Sequence, residues 1–396
     1  MAKRSPLAPK GFPHMPRIAG VRVAGLAAGL KPDGSHDLFM AELAPGSTVA
    51  GTLTRSGFPG APVEWTRKHL PRGKVRAIVA NSGNSNVFTG RAGPAQVEAT
   101  AAAAAKLLGC PRSQVLLAST GRIGVKRAPD FVAAKLPRAK RKLKAGAWHD
   151  AARAIMTTDS FPKAARRTAL IGGTRVTLAG IAKGCTMIAP DMGTMLSFLF
   201  TDAKISAKVL RAALRRAVDL SFNSISVDGD TSTSDTVLLA ATGKGARHKR
   251  IASAGDPEFG DFRRALEELT RDLALQIVRD GENPRRLIAF HITGAESARA
   301  ARRIGRVLAT STLTRRSIAE RGDGWGRLVA AVGRAGEKAD RDRLSIRIGG
   351  TAVAEAGEHH LDYDFGAVDR HLRGREIEIA VDVGVGRGRA RVWTSM

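Results

Sequence analysis

Two cysteines in 396 residues, Cys110 and Cys185, exclude a disulfide framework and suit a reducing compartment. Aromatic residues make up only 5%, too few for a platform on which successive nucleic-acid bases stack. No apolar run approaches the roughly 18–20 residues that span a bilayer. The amino terminus, MAKRSPLAPK, lacks the apolar core of a secretion signal. These absences point to a soluble, cytoplasmic protein with no membrane partner. Metal chemistry is poorly supplied: the nine histidines are dispersed, only His359 and His360 are adjacent, and no HExxH or Cys pair exists. No phosphate-binding P-loop and no G-x-S-x-G nucleophile elbow occurs. Acidic residues are also scarce, 36 Asp and Glu against 64 Lys and Arg, for a formal charge of +28. Such a field attracts polyanions whatever the fold. Yet the densest basic run, Lys135–Lys144, is not interleaved with aromatics, and no helix-turn-helix or zinc-finger spacing appears. The charge therefore reads as a solvated basic surface rather than a nucleic-acid footprint. It could still draw in anionic metabolites or the phosphates of coenzyme A.

What is present is a chain able to fold. Hydrophobic residues reach 43%, charged residues 25%, and the 43 glycines follow no fixed period. Short apolar strands alternate with amphipathic helices, which predicts a mixed α/β architecture. Val75–Ala80 reads as a strand ending in the loop Asn81–Gly90, and Pro94 as the opening of an Ala-rich helix to about Leu108. Val115–Ala118 delivers Ser119-Thr120-Gly121, and Arg175–Ala182 delivers Lys183-Gly184. Met195–Phe200 is very apolar and reads as another strand. Asp202 is placed as the N-cap of a helix with the stripe Val209, Leu210, Ala213, Leu214 and Ala217. Phe262, Leu266, Leu269, Leu273 and Ile277 recur at helical spacing. From about residue 287 the chain reads as its own α/β unit, with a strand over Leu287–Ile292, a helix over Ala295–Leu308 and later hairpins.

Two segments bear on chemistry. Asp228-Gly-Asp230-Thr-Ser-Thr-Ser-Asp235 lacks the sixth-position glycine and acidic twelfth ligand of a calcium loop, so a polar turn is the better reading. In Lys183–Leu196, Thr194 follows Gly193 and starts an apolar strand. Spacing alone leaves two readings open. One is a β-branched residue at a strand start. The other is a self-cleaving nucleophile: a glycine lets the backbone bend so that the hydroxyl reaches its own preceding carbonyl. Cleavage would free an α-amino group with a reference pKa of about 7.7–8, able to act as base for the adjacent hydroxyl.

Asn81-Ser-Gly-Asn-Ser-Asn86, Ser119-Thr-Gly121, Met156-Thr-Thr-Asp-Ser-Phe-Pro-Lys163, Lys183–Leu196, Ser221–Thr233, Arg279-Asp-Gly-Glu282 and Trp325-Gly-Arg327 together, in this order, resemble the ornithine acetyltransferase (ArgJ-type) family. The likeness runs over nearly the whole chain. It implies a layered α/β sandwich of the ArgJ/DmpA-like superfamily, cut by itself into an α chain (1–193) and a β chain (194–396), with two αβ units forming a heterotetramer. It implies acetyl transfer from N-acetylornithine to glutamate for arginine biosynthesis, with no bound cofactor and with acetyl-CoA as a co-substrate in bifunctional members. Carried over by position, Thr194 is the nucleophile and Gly193–Thr194 the cleavage site. Thr120 and Gly121 form the oxyanion hole, and Thr157, Lys183, Thr194 and Glu282 contact substrate.

The sequence departs from the family pattern in places: Gly193 stands for the usual alanine, Asn283-Pro-Arg-Arg286 for Gly-Ala-Thr-Lys, and Gly324 for asparagine. It also stops at Val392–Met396, before the segment whose asparagine and terminal hydroxyl residue close over substrate in the family. Either the chain is truncated or substrate binding is changed or weakened. Beside the acetyltransferase stand two competing functions, a self-processed aminopeptidase or amidase of the same fold and a degenerate paralogue that binds polyanions.

Overall fold

Every residue of Leu196–Thr201 (LSFLFT) and of Thr236–Ala241 (TVLLAA) is buried. Strands with no polar face must be covered on both sides, so a layer of structure lies above and below them. The computed structural model describes residues 3–188, 195–281, 284–321 and 324–396. In chain order the elements are β1 (Val21–Leu26), β2 (Leu38–Leu43), β3 (Thr48–Leu53), α1 (Ala61–His69), β4 (Ala77–Asn84), α2 (Ala92–Leu108), β5 (Val115–Arg122), α3 (Leu136–Arg141) and α4 (Trp148–Ile155). There follow β6 (Lys163–Ile171), β7 (Thr174–Lys183), β8 (Leu196–Thr201), α5 (Ala207–Asp219), β9 (Thr236–Ala241) and α6 (Gly260–Val278). The last part supplies β10 (Leu287–Ala295), α7 (Ala298–Thr310), α8 (Thr312–Glu320), α9 (Gly326–Gly333), β11 (Ser345–Ile348), β12 (Thr351–Glu355), β13 (Glu358–His359), α10 (Phe365–Leu372), β14 (Glu376–Asp382) and β15 (Gly388–Ser395).

Two sheets face each other. One has the order β1-β2-β4-β5, the other β3-β9-β8-β7-β6. Their inner faces share one core, in which the rings of Phe39 and Phe198 stack 4.9 Å apart with 4° between their planes. The outer face of the first sheet is closed by α1, α2 and α3, and that of the second by α5 and α6. The result is four layers, helix, sheet, sheet, helix, as the mixed α/β reading requires. A third sheet, β13-β12-β11-β14-β10-β15, is covered by α7 to α10 and begins at Leu287. It joins the rest through Leu287, Ala289 and Trp393, which lie in the core of the second sheet.

Strand β8 is flanked by β7, antiparallel, and by β9, parallel. The segments before and after residues 193–194 are therefore neighbours in one sheet. The hydrogen bonds and core contacts between them do not depend on the peptide bond that links them.

Four local expectations shift. The cap of α5 is Ser206, whose hydroxyl accepts from the Val209 amide at 3.4 Å; Asp202 instead accepts from the Thr177 amide at 2.8 Å, so its carboxylate is used across the sheet. The helix expected from Ala295 starts at Ala298, because Ser297 caps it and Ala295 still belongs to β10. Pro94 does not open α2, which starts two residues earlier; Asn81–Asn84, read as loop, continues β4 by pairing with β5.

Candidate active site

The parallel pair β4 and β5 ends in matched register, Ser82 beside Thr120 and Gly83 beside Gly121. Gly121 has φ +126°, and a Cβ there would lie 2.7 Å from the Gly83 carbonyl carbon, so no side chain fits. Thr120 is buried while Gly121 is exposed, which puts the turn at the wall of a cavity. That cavity has a volume of about 590 Å³ and is lined by Thr120, Gly121, Thr157 and Lys183 among others. The structure thus brings four of the expected site residues to one place. Gly193, Thr194 and Glu282 lie outside the described residues.

Lys183 ends β7 and is 2% exposed. Its ammonium donates to the Thr120 hydroxyl oxygen at 3.4 Å. Because that oxygen accepts from a cation, the hydroxyl's own hydrogen remains available to a developing negative charge. Thr157 follows the end of α4 and is half-buried. Its backbone N–H donates to Asp159 at 2.9 Å.

Beneath this floor lies an ion cluster that sequence reading passed over. The Lys163 ammonium, fully buried, donates to Asp159 at 2.7 Å and to Asp280 at 2.6 Å. Asp159 also accepts from the Gly184 amide at 2.7 Å, next to Lys183. Asp280 accepts from the Ser160 amide at 3.0 Å and lies two positions before Glu282 in the sequence. One lysine therefore ties together the segments carrying Thr157, Lys183 and Arg279–Gly281. Burial works against the Asp159 charge, but Lys163 and Lys183 outweigh it and hold the carboxyl well below the usual range. Burial likewise works against the Lys163 charge, and its two carboxylates raise it nonetheless. The i,i+4 spacing of Asp159 and Lys163 was the available signal; Asp280 is 117 positions from Lys163, and no local pattern announces it.

Asp235 was also missed as a site element. Its carboxylate is fully buried, accepts from the Met195 amide at 2.8 Å, and leaves its second oxygen without a hydrogen-bond partner. Burial pushes it well above the usual carboxylate value. Asp228, at the other end of that polar turn, accepts from the amides of Met187 and Ile188, so the turn is fastened to the segment after Lys183. No group of three His, Cys, Asp or Glu side chains suited to a metal ion occurs among the described residues.

Residues 22–395 match the model of the ArgJ family. The chain belongs to that family. It is 49% identical over 396 residues to the arginine biosynthesis bifunctional protein ArgJ of Gluconobacter oxydans, covering 100% of this chain and 93% of the relative. It is 47% identical over 395 residues to the protein of the same name from Brucella suis, covering 99% and 96%. Among solved structures, the arginine biosynthesis bifunctional protein ArgJ of Bacillus halodurans is 32% identical, with a TM-score of 0.48, covering 51% of this chain and 94% of that one. The layered α/β fold and the resemblance read from the motifs agree with this membership. No helix among the described residues is long and apolar enough to cross a membrane.

Proposed function

We propose that this ArgJ-family chain transfers an acetyl group from N-acetylornithine to glutamate through an acetyl-threonine on Thr194, and that it takes acetyl-CoA as a second donor. The observation that carries the reading is the convergence of Thr120, Gly121, Thr157 and Lys183 on one cavity. Curated relatives named as bifunctional arginine-biosynthesis proteins over the same length support it.

The chemistry follows from these groups. The Thr194 hydroxyl attacks the acetyl carbonyl, and its proton passes to the free α-amino group that self-cleavage at Gly193–Thr194 exposes. The tetrahedral oxygen receives the Thr120 hydroxyl and the Gly121 N–H. The ornithine amine leaves with a proton, and an acetyl ester remains on threonine. The glutamate amine then attacks that ester and restores the hydroxyl. Covalent storage replaces one difficult transfer with two easier ones. Lys183 pairs with the amino acid's α-carboxylate, Thr157 contacts the same substrate, and Glu282 suits the ammonium of ornithine.

Because β7, β8 and β9 share one sheet, the α (1–193) and β (194–396) pieces would stay joined after cleavage; two such units would form the heterotetramer. Intact-mass measurement tests the reading first. The wild-type protein is expected as two polypeptides and Thr194→Ala as one, without exchange activity. An uncut, active wild-type chain would refute the assignment. Release of coenzyme A thiol with glutamate as acceptor tests the second donor, and sizing chromatography tests the assembly.

A further inference from the structure

Lys183 is not the lone cation of its cavity. Lys31, Arg122 and Arg127 also line it, against one exposed carboxylate, Asp33. Buried or half-buried cations in proteins are normally matched by carboxylates, because an unpaired charge away from water is costly. Among the described residues, Lys31, Arg127 and Lys183 have no carboxylate within ion-pair distance. Lys31 donates to the carbonyls of His36 and Met156 at 2.8 and 2.7 Å. Arg127 donates through Nη2 to the Leu30 carbonyl at 3.3 Å, and its guanidinium sits 5.6 Å from the centre of the Phe131 ring. These contacts fix both cations in place without neutralising them. Burial lowers the Lys31 pKa and outweighs the opposing pull of the Asp37, Asp33 and Asp159 carboxylates, none of which is within ion-pair distance.

The two amino acids that share this pocket in the proposed reaction differ at their far ends. Ornithine ends in an ammonium and glutamate in a carboxylate, at nearly the same reach from the α-carbon. If Lys183 takes the α-carboxylate, the glutamate side chain still carries a negative charge that needs a partner. We infer that Arg127, with Lys31 beside it, forms a second anion subsite that reads the side-chain carboxylate of the acyl acceptor and sets the preference for glutamate over its uncharged analogue glutamine. This rests on the acetyl-transfer reading above. A guanidinium held on a carbonyl and an aromatic face is pre-organised for such a contact, so little freedom is lost on binding.

The test uses the processed wild-type protein and the variants Arg127→Gln and Lys31→Met. Acetyl transfer to glutamate and to glutamine is measured with N-acetylornithine and with acetyl-CoA as donors. The wild type should favour glutamate by about tenfold or more in kcat/KM, the size of one charge-assisted hydrogen bond. Arg127→Gln should raise the KM for glutamate by a similar factor and erase that preference, and Lys31→Met should weaken it. Ornithine release from N-acetylornithine should change far less. An unaltered glutamate-to-glutamine ratio in both variants would overturn the proposal. So would a rise confined to the KM for acetyl-CoA, which would assign the cations to phosphates. Thermal-shift titration with each amino acid separates this from failure of the transfer reading. Glutamate should stabilise the wild type more than glutamine does, and Arg127→Gln should remove the difference, whether or not any acetyl group moves.

Discussion

Replacing Lys163 by methionine removes one charge from the sealed cluster and leaves Asp159 and Asp280 facing each other. Each carboxylate oxygen now lies within 2.7 Å of the ammonium nitrogen, so the two oxygens are no more than about 5 Å apart. At an effective dielectric of about 20, two unit charges at that distance repel by about 3 kcal/mol. Measured losses on breaking one partner of a buried pair fall in the same range, about 3–5 kcal/mol. Denaturant unfolding followed by intrinsic fluorescence should show a midpoint shift of that size at neutral pH. The variant also carries a distinctive pH signature. Without Lys163 the folded state raises the pKa of the carboxylate pair, so the folded form binds more protons than the unfolded chain. Its stability is then greatest below the unfolded carboxylate value of about 4 and falls as pH rises through the raised one. The gap between Lys163→Met and wild type should therefore narrow as the pH is lowered from 8 to 5. Adding Asp280→Asn should recover much of the loss, because a single buried charge remains. A penalty under about 1 kcal/mol, or a gap independent of pH, would refute the idea that electrostatics holds the floor of the cavity together.

Three further outcomes follow from the site. Thr120→Ala should lower the rate of acetyl transfer by about 10²–10³ while the protein still folds, as loss of one oxyanion donor does; steady-state rates check this. Gly121→Ala should fail more broadly, in stability and activity, because its Cβ would meet the Gly83 carbonyl carbon at 2.7 Å at a backbone φ of +126°. Asp235→Asn should flatten the dependence of stability on pH. The wild-type carboxyl is raised in the fold, so its contribution is present below about pH 4 and is lost as pH rises through the folded value, whereas an amide does not titrate. Melting curves from pH 5 to 8 test this, and identical slopes for the two proteins would contradict it.

Much of the fold was legible because its signals are local. The apolar run Met195–Phe200 announces a strand, and the 3.6-residue stripe of α6 announces a helix against a core. The cap of α5 misled, since both Asp202 and Ser206 are good caps and only strand packing showed where the aspartate was spent. Of the site, Thr120, Gly121, Thr157 and Lys183 were found through motifs at the ends of separate elements.

The sequence by itself determined the strand and helix runs, the family motifs, the scarcity of metal ligands and the excess of positive charge. Those are properties of neighbouring residues and of composition. Only the tertiary structure decided that Lys163 would find Asp280, that Asp235 would grip the amide of Met195, and that Lys31 and Arg127 would share a cavity with Lys183. Each of those outcomes depends on which strand ends meet across the sheets, and hydrophobic packing over long sequence separations fixes that, whereas local pattern does not.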